Sequence, residues 1–560
     1  MASAPAALNV EQRSAVDHDG SHLLIVAGPG TGKTKTLTHR IQRLTQDLQP
    51  TEKILAITFT NKAADEMSRR LRELGVDLKS QVEVGTFHAF SLRLLRCYAD
   101  RLKFPLTFSI VSPDEIETLA KDFWPERSRA ERGRILKKIA DWKATADTET
   151  ADPQISAFRQ MLRDKSLVDF DDILRDAVLL LRDEADIRAQ VRRMYRFILV
   201  DEFQDVSAVQ ESLLRELVGD GVQLTAIGDP NQAIYGFRGS DVGFFHSFVR
   251  TFSLAKVLEL SRNYRSCGNL LEATGQVIGK GARFPVSELI AEIHAKGLLK
   301  IHACVTDRAE AEYIAHSIEK IVGGTSNFSR NSGRVTEEAA VRSFADIAVL
   351  YRLNAQGRSI AEALSRLGVP YQVSGDKALK LSSETRAALK SSASAAGPLA
   401  ALMALRKKDA ALNEHWEYFQ AIAKEAATVA EFLDVLALQT PEDCYLARAE
   451  KVSLMTLHAA KGLEFPVIFI VGCEEGLLPL DLEFFSSDLE EERRLFYVGM
   501  TRAREELYLV RAHRRLIYGQ TAELAPSRFL ADIEEELKAY EQEKARKFHR
   551  DPERDQMKLF

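Results

Sequence analysis

A phosphate-binding loop near the amino terminus constrains this chain more than any other stretch of its sequence. It follows a short apolar run at residues 23–26 and comprises Ala27, Gly28, Pro29, Gly30, Thr31, Gly32, Lys33 and Thr34. Its glycines let backbone N–H groups turn towards a phosphate, and the helix expected next directs its positive dipole end at the same anion. Lys33 can reach the β- and γ-phosphates, and Thr34 can hold Mg²⁺. The pattern predicts a nucleoside triphosphate site rather than an ordinary glycine-rich turn.

Length and composition describe a multidomain globular protein. The 560 residues are 45% hydrophobic and 28% charged, and the length predicts roughly four domains. Because we find neither a long apolar run nor a secretory signal pattern, we expect no membrane association and a cytoplasmic location. Five scattered cysteines fit reduced thiols rather than a disulfide framework or a zinc site: Cys97, Cys267, Cys304, Cys444 and Cys473. The net charge of −5 neither supports nor excludes nucleic-acid binding, which depends on a local basic groove.

Two sets of short apolar runs predict two parallel sheets. The first set, with residues 23–26, is 54–59, 197–201 and 224–228; the second is 345–351, 452–457, 467–472 and 507–512. Such runs are typical of strands buried on both faces. Segments of helical composition interrupt the two sets at residues 105–195 and 376–444. We therefore predict an α/β fold of two sheet domains, each with a helical insertion.

Two further segments of the second half carry predictions of their own. Residues 323–336 are rich in glycine, serine and asparagine and predict a surface loop. From about residue 530 an acidic stretch predicts a helix that leads into a polar tail.

Polar residues follow two predicted strands of the first set. Asp201 and Glu202 close the run at 197–201, where one carboxylate can hold the magnesium ion that Thr34 also contacts and its neighbour can polarise the attacking water. Residues 227–240 add Gln232, which can sense the γ-phosphate, and aromatic side chains beside an arginine, which can stack bases and hold phosphates. Taken alone, these stretches could be a solvated strand end and a turn with core aromatics.

Further motifs complete an ordered series along the chain. They are LNVEQRSAV at 8–16, ITFTNKAADEM at 57–67, GTFHAF at 85–90, LSRNYRS at 260–266, TLHAAKGLEF at 456–465 and EEERRLFYVGMTRARE at 490–505. In order, composition and spacing the series resembles a superfamily 1A DNA helicase of the UvrD/Rep/PcrA type, over roughly residues 8–375 and 450–545. The resemblance implies two RecA-like P-loop domains, with parallel sheets flanked by helices.

The resemblance also implies the domain boundaries. They are 1–90 and 196–258 for the ATP-binding domain 1A, 91–195 for its helical insertion 1B, 259–375 and 445–545 for domain 2A, 376–444 for a reduced helical insertion 2B, and 546–560 for a flexible C-terminal tail. In this arrangement ATP binds between the two sheet domains and its hydrolysis moves them.

Roles at the nucleotide follow from the resemblance, residue by residue. Gln12 reads the adenine, which Tyr264 and Lys35 sandwich, and Glu464 binds the ribose. Lys35 stands where the family commonly has arginine, so we expect weaker stacking there.

At the phosphates, the resemblance implies that Gln232 is the γ-phosphate sensor and that Arg265 and Arg502 reach the γ-phosphate from the second domain. Arginine suits this task because its planar fork is always charged and makes two bonds to phosphate oxygens. The implied catalytic set is Lys33, Asp201, Glu202, Gln232, Arg265 and Arg502. The cofactors are ATP and Mg²⁺, with Thr34 and Asp201 as metal ligands.

The resemblance further implies a path for single-stranded DNA. The matching positions are Phe59, Thr60, Asn61, Thr86, His88, Tyr235, Phe237, Arg238 and His458. Aromatic stacking contributes about 1–3 kcal/mol per base without sequence preference, which suits a motor that passes over any sequence. Phe237 stands where the family usually has tryptophan, so we expect a weaker grip at that position.

Two segments stand apart from the common pattern. The insertion at 376–444 is much shorter than usual and shows no glycine-containing hairpin motif for duplex contact, so translocation is expected more firmly than processive unwinding. The sequence QMKLF at 556–560 is similar to the bacterial sliding-clamp-binding peptide. In that comparison the tail presents apolar side chains to a pocket on the clamp. Its contacting residues are Gln556, Met557, Leu559 and Phe560.

The sequence thus indicates an ATP-dependent 3′→5′ DNA helicase or single-stranded DNA translocase in repair, replication or recombination. We expect a monomer that acts on single-stranded and tailed duplex DNA. Two alternatives stay open. One is a translocase recruited to the sliding clamp that displaces proteins from single strands without processive unwinding. The other is the motor half of a helicase–nuclease whose nuclease is another chain.

Overall fold

Two largely parallel β-sheets organise the computed structural model of this chain. The structure describes residues 7–101, 108–145, 152–280, 288–323, 342–374, 381–391, 397–439, 443, 449–482, 485–517 and 519–542. Residues 324–336 of the predicted loop and the predicted clamp peptide at 556–560 lie outside the described residues. Within the described ranges, no helix combines the length and apolar character needed to span a membrane.

The strands are numbered in chain order. They are β1 (Leu23–Ala27), β2 (Lys53–Thr58), β3 (Val82–Thr86), β4 (Ser109–Ile110), β5 (Leu167–Val168), β6 (Tyr195–Val200), β7 (Gln223–Gly228), β8 (Lys256–Leu260), β9 (Arg262–Cys267), β10 (Ile290–Ile293), β11 (Leu298–Thr306), β12 (Ile347–Tyr351), β13 (Tyr371–Ser374), β14 (Val452–Thr456), β15 (Phe465–Ile470), β16 (Asp481–Leu482), β17 (Phe485–Ser486), β18 (Ala503–Ile517), β19 (Gln520–Glu523) and β20 (Ala539–Gln542).

The described α-helices are numbered in the same way. They are α1 (Val10–Val16), α2 (Lys33–Leu44), α3 (Asn61–Glu73), α4 (Phe87–Cys97), α5 (Pro113–Phe123), α6 (Arg129–Ala144), α7 (Pro153–Asp164), α8 (Phe170–Asp183), α9 (Ala185–Met194), α10 (Ala208–Leu217), α11 (Gly243–Thr251), α12 (Gly268–Gly279), α13 (Asp307–Ile321), α14 (Asn354–Arg366), α15 (Ser383–Ser391), α16 (Gly397–Leu405), α17 (Ala410–Glu414), α18 (Trp416–Glu425), α19 (Val429–Ala437), α20 (Leu489–Met500) and α21 (Arg528–Ala531).

The first sheet has six parallel strands in the order β3-β2-β6-β7-β1-β8. Along β1, Leu24 packs in one buried cluster while Leu23 and Ile25 pack in another, so helices cover both faces of the sheet. This confirms the prediction from the continuous apolar runs. The carboxyl ends of all six strands lie along one edge, where open parallel sheets bind their ligands.

The second sheet runs β13-β14-β12-β15-β18-β11-β20, with β19 paired antiparallel to β18. All four predicted runs of the second set form strands in it, namely β12, β14, β15 and β18. Helices α13 and α14 pack over a buried cluster of this sheet that includes Ile314, Leu364 and Phe469. The predicted α/β class with two sheets flanked by helices is confirmed.

One predicted element near the carboxyl terminus is wrong. Within its described part, which ends at residue 542, the acidic stretch from about residue 530 is not an α-helix beyond the four-residue α21. Ala539–Gln542 instead forms β20 and pairs in parallel with β11. Hydrogen bonding to the open edge of a sheet outweighs the local helix preference of this sequence.

Both helical insertions have small cores of their own. The first, around α5–α7, buries Trp124, Ile139 and Phe158, and the second, α15–α19, buries Phe419 and Phe432 together with several leucines. Along the chain the second insertion lies between β13 and β14 of the second sheet. Its contacts nevertheless group residues 373–448 with the unit that contains the first sheet, residues 1–268 and 281–294. The remaining residues form the second unit.

Candidate active site and nucleic-acid interface

The phosphate loop connects the end of β1 to the start of α2. Gly30 and Gly32 adopt left-handed backbone angles, φ +68° and +84°, which side chains rarely tolerate. The Nζ of Lys33 donates to the carbonyl oxygens of Ala27 at 3.1 Å and Gly28 at 3.3 Å. The ammonium group therefore lies over the loop at the N-terminus of a 12-residue helix, an arrangement that can hold phosphate oxygens.

A hydrogen-bonded chain of side chains joins the ends of β6 and β7. The backbone of Glu202 is left-handed at φ +51°, and its carboxylate accepts from Nε2 of Gln204 at 2.5 Å. Oε1 of Gln204 accepts from the backbone N–H of Asp229 at 3.0 Å, and the Asp229 carboxylate accepts from Nε2 of Gln232 at 2.7 Å. The chain fixes the predicted water-polarising group relative to the predicted γ-phosphate sensor. Gln204 is a functional candidate that sequence reasoning missed, although it lies two residues after Glu202.

Electrostatics tie this chain to the phosphate loop. Burial raises the pKa of Asp229, and the Lys33 ammonium opposes that rise. Asp201 accepts from the backbone N–H of Glu202 through Oδ1 at 2.9 Å. Asp201 and Thr34 stand at the same edge of the sheet, after β6 and after the loop, and supply the carboxylate and hydroxyl oxygens that Mg²⁺ prefers. The donor set therefore fits a Mg²⁺–nucleotide.

The three residues predicted at the adenine meet where residues 7–12 pass the phosphate loop. Nε2 of Gln12, which is 2% exposed, donates to the carbonyl of Thr31 at 3.0 Å. The hydroxyl of Tyr264 accepts from Nδ2 of Asn9 at 2.9 Å. Lys35 donates to a backbone carbonyl of the same segment at 3.3 Å, and burial lowers its pKa. The structure thus brings Gln12, Lys35 and Tyr264 to one end of the phosphate loop.

Asn263 fastens β9 to the phosphate loop. It is fully buried, its Nδ2 donates to the carbonyl of Pro29 at 2.7 Å, and its Oδ1 accepts from the backbone N–H groups of Arg265 and Ser266, both at 2.9 Å. A Cβ at Gly30 would lie 2.7 Å from the Cβ of Arg265. The contacts therefore group Arg265 with the first unit and hold its backbone against the loop. Sequence reasoning missed Asn263; the available signal was an asparagine inside the motif LSRNYRS.

Three predicted residues belong to the second unit. Arg502 is 2% exposed, and its guanidinium donates to the carbonyls of Val498 at 2.9 Å and Leu463 at 3.2 Å. Glu464 is half-exposed and lies 3.9 Å from a guanidinium nitrogen of Arg504. His458 lies in a turn after β14, and its backbone carbonyl accepts from the backbone N–H of Lys461 at 3.2 Å. Leu463 and Glu464 are sequence neighbours, so the contacts of Arg502 keep it close to Glu464.

Three aromatic rings and an adjoining arginine form a surface that we call the aromatic shelf: Phe59, Tyr235, Phe237 and Arg238. The rings of Phe59 and Tyr235 stack with centroids 5.0 Å apart, and Phe237 follows 6.1 Å from Tyr235. The guanidinium carbon of Arg238 lies 5.2 Å from the Tyr235 ring and 5.5 Å from the Phe237 ring. Phe237 is 64% exposed although it is a large apolar residue, which makes it available for stacking on a base.

Further residues predicted to contact the DNA lie near the carboxyl ends of β2 and β3. Thr60 and Thr86 are the N-caps of α3 and α4, where their hydroxyls accept backbone N–H groups at 3.1 and 3.2 Å. The His88 ring stacks on Phe170 at 3.7 Å, and burial lowers the pKa of His88 to about 3. His88 is therefore neutral near pH 7 and cannot offer a charge to a phosphate.

The second insertion covers Asn61. Nδ2 of Asn61 donates to the carbonyl of Leu438 at 2.9 Å and to the carboxylate of Asp443 at 3.0 Å. The backbone N–H of Lys62 donates to the same carboxylate at 3.0 Å. An acidic side chain of the insertion thus occupies the N-terminus of α3, a place that favours anions. Nothing in the spacing of the sequence indicated this contact.

Comparison with known proteins gives a consistent result over almost the whole chain. Residues 8–253 match the family model of the UvrD/REP helicase N-terminal domain, and residues 258–390 and 403–514 match that of the UvrD-like helicase C-terminal domain. The ATP-dependent DNA helicase PcrA of Leuconostoc citreum is 30% identical over 95% of this chain and 85% of its own length. The ATP-dependent DNA helicase UvrD1 of Mycobacterium leprae is 31% identical over 95% of this chain and 86% of its own length.

Proposed function

Because the chain belongs to the UvrD/REP family of ATP-dependent DNA helicases, we propose that it translocates 3′→5′ along single-stranded DNA and separates tailed duplexes. One observation supports the coupling of ATP turnover to strand movement. Residues 229–237 carry both Asp229 and Gln232 of the hydrogen-bonded chain and Tyr235 and Phe237 of the aromatic shelf. A shift of this short segment on hydrolysis would move the side chains that stack on the bases.

The proposed chemistry is attack of water on the γ-phosphate of ATP, which gives ADP and phosphate. Lys33 would bind the β- and γ-phosphates, and Thr34 and Asp201 would hold Mg²⁺, which would supply positive charge to the phosphates. Glu202 polarises the water, Gln232 senses the γ-phosphate, and Arg265 and Arg502 stabilise the charge that develops in the transition state. Gln12, Lys35 and Tyr264 bind the adenine and Glu464 the ribose.

For the strand, we propose contacts with the aromatic shelf and with Thr60, Asn61, Thr86, His88 and His458. The second candidate function, displacement of proteins from single strands without processive unwinding, is favoured by the contacts of Asn61. Its amide is held by Leu438 and Asp443, so the short insertion restricts one strand contact without supplying the usual duplex-binding motif. We further propose that the chain acts as a monomer in repair, replication or recombination.

A strand-displacement assay on duplexes with a 3′ or a 5′ single-stranded tail tests the proposal. We expect faster ATP-dependent release of the displaced strand from the 3′-tailed duplex. A second assay, displacement of streptavidin from a biotinylated single strand, separates the two candidate functions. Displacement of streptavidin without opening of the tailed duplexes supports the displacement function. In the duplex assay, preference for the 5′ tail would refute the proposed polarity.

The tail proposal concerns docking on the bacterial sliding clamp through QMKLF. Deletion of residues 556–560 is expected to lower clamp affinity at least tenfold, because Met557, Leu559 and Phe560 would no longer fill an apolar pocket. The matched control is Lys558→Ala, which changes the unconstrained position of the peptide and should leave affinity within about twofold. Equal clamp affinity of the deletion variant and the parent in surface plasmon resonance would contradict the proposal.

A further inference from the structure

A cavity of about 600 Å³ lies within the first unit, between the two helical insertions. Its apolar lining comes from Phe108 and Ile110 near β4, from Phe170 at the start of α8, and from Leu433 and Leu436 of α19. The volume falls in the range of sites that enclose a small planar ligand. One wall therefore belongs to the insertion at residues 376–444, for which the family resemblance gives no role in this shortened form.

Positive charge predominates around the cavity. Arg96, Arg238, Arg386 and Lys390 line it, against two acidic side chains, Asp171 and Asp434. Arg96 and Arg386 bridge to carboxylates, with Arg96 bound to Asp434 at 2.9 Å and Arg386 to Glu115 at 3.1 Å. Burial raises the pKa of both lining aspartates. The lining as a whole suits a ligand with an anionic edge.

The cavity begins where the aromatic shelf ends. Arg238 lines the cavity and also lies 5.5 Å from the ring of Phe237, the exposed end of the shelf. Phe170, another lining residue, stacks on His88. The guanidinium carbon of Arg96 lies 3.8 Å over the ring of Phe108, so a cation and an aromatic ring are already paired at the cavity wall. Alternating aromatic and cationic groups are the elements with which proteins bind unstacked bases and their phosphates.

We propose that this cavity receives an unstacked base of the bound single strand, with the adjoining phosphates held by Arg238 and Lys390. The inference rests on the proposed strand path and extends it beyond the shelf. The shortened insertion then acts as a wall of the strand-binding site: Leu433 and Leu436 cover the base, and Lys390 at the end of α15 faces the backbone.

Charge reversal at Lys390 tests the proposal. Lys390 is exposed, so Lys390→Glu leaves the packing intact, and its matched control is Lys424→Glu, an exposed lysine of α18 in the same insertion that does not line the cavity. We expect Lys390→Glu to weaken binding of an oligo-dT strand about 3- to 10-fold and to reduce the salt dependence by about one phosphate contact. Lys424→Glu should stay within about twofold of the parent.

Filling the cavity tests the base itself. Leu433→Trp places a large ring where the base would lie, and we expect weaker oligo-dT binding by fluorescence anisotropy with the salt dependence unchanged. The proposal is overturned if Lys390→Glu binds like Lys424→Glu, or if a folded Leu433→Trp variant binds like the parent. ATP turnover of the parent, measured with and without single-stranded DNA, separates failure of the cavity proposal from failure of the proposed function. If single-stranded DNA stimulates the parent and either of these two results is obtained, only the cavity proposal is refuted.

Discussion

Replacement of Arg265 with alanine is expected to lower strand-stimulated ATP turnover by about 10³-fold or more, with ATP affinity falling much less. An arginine that stabilises the transition-state charge on a transferred phosphoryl group contributes about 10³–10⁵ to the turnover rate. Its backbone lies against the phosphate loop at Gly30, where no side chain larger than hydrogen would fit. Steady-state kinetics and binding of a fluorescent ATP analogue measure the two effects separately.

A substitution of Asn263 provides a second test of the role of Arg265. Its buried amide joins Pro29 of the loop to the backbone of Arg265, so Asn263→Ala should lower kcat by misplacing that arginine. Because it acts through Arg265, the same change should have little further effect in the Arg265→Ala background. Equal loss of kcat in both backgrounds would mean that Asn263 serves only the fold.

Arg262 is the matched control for Arg265. It lies on the same strand, β9, is exposed, and pairs with Glu292 on β10 at 2.5 Å rather than contacting the loop. Arg262→Ala should leave turnover within about threefold of the parent. The assignment of Arg265 fails if Arg265→Ala also stays within that range.

Local patterns were sufficient wherever one segment determines its own environment. The apolar runs at residues 54–59 and 224–228 predicted β2 and β7 because a parallel strand buried on both faces needs apolar side chains at every position. The phosphate loop was readable for a similar reason: left-handed turns at Gly30 and Gly32 require glycine, and the helix must begin at the lysine.

Contacts between segments that are distant in sequence could not be predicted from local patterns. Gln204 and Asn263 are single amides. Their importance comes from partners just after β7 and on the phosphate loop, and no neighbouring residue in the sequence indicates those partners. The same holds for Asp443, which meets Asn61 across 382 residues. In β20, the tertiary pairing with β11 reverses a local preference for helix. Long-range hydrogen bonds thus account for most of what the sequence left open.

Glu202 carries the second large prediction, in which Glu202→Gln lowers strand-stimulated ATP turnover about 10²–10⁴-fold. General-base assistance to an attacking water contributes a factor of this size, and the amide cannot accept the proton. The substitution is nearly isosteric, so we expect the left-handed backbone at this residue, φ +51°, to be kept. ATP binding should therefore persist, and the variant should accumulate on single strands in the ATP-bound form.

The surroundings of Glu202 decide how sharp this test is. Its carboxylate accepts from Gln204, whose own carbonyl oxygen is held by the backbone N–H of Asp229, so the carboxylate has one fixed direction. Gln204→Ala should consequently lower kcat while leaving the carboxylate itself in place, and its effect should vanish in the Glu202→Gln background because both act on the same proton transfer. Glu73→Gln, at the exposed end of α3, is the matched control and should turn over ATP like the parent. Single-turnover hydrolysis measures the chemical step directly, and a Glu202→Gln rate within threefold of the parent would assign the water to another group.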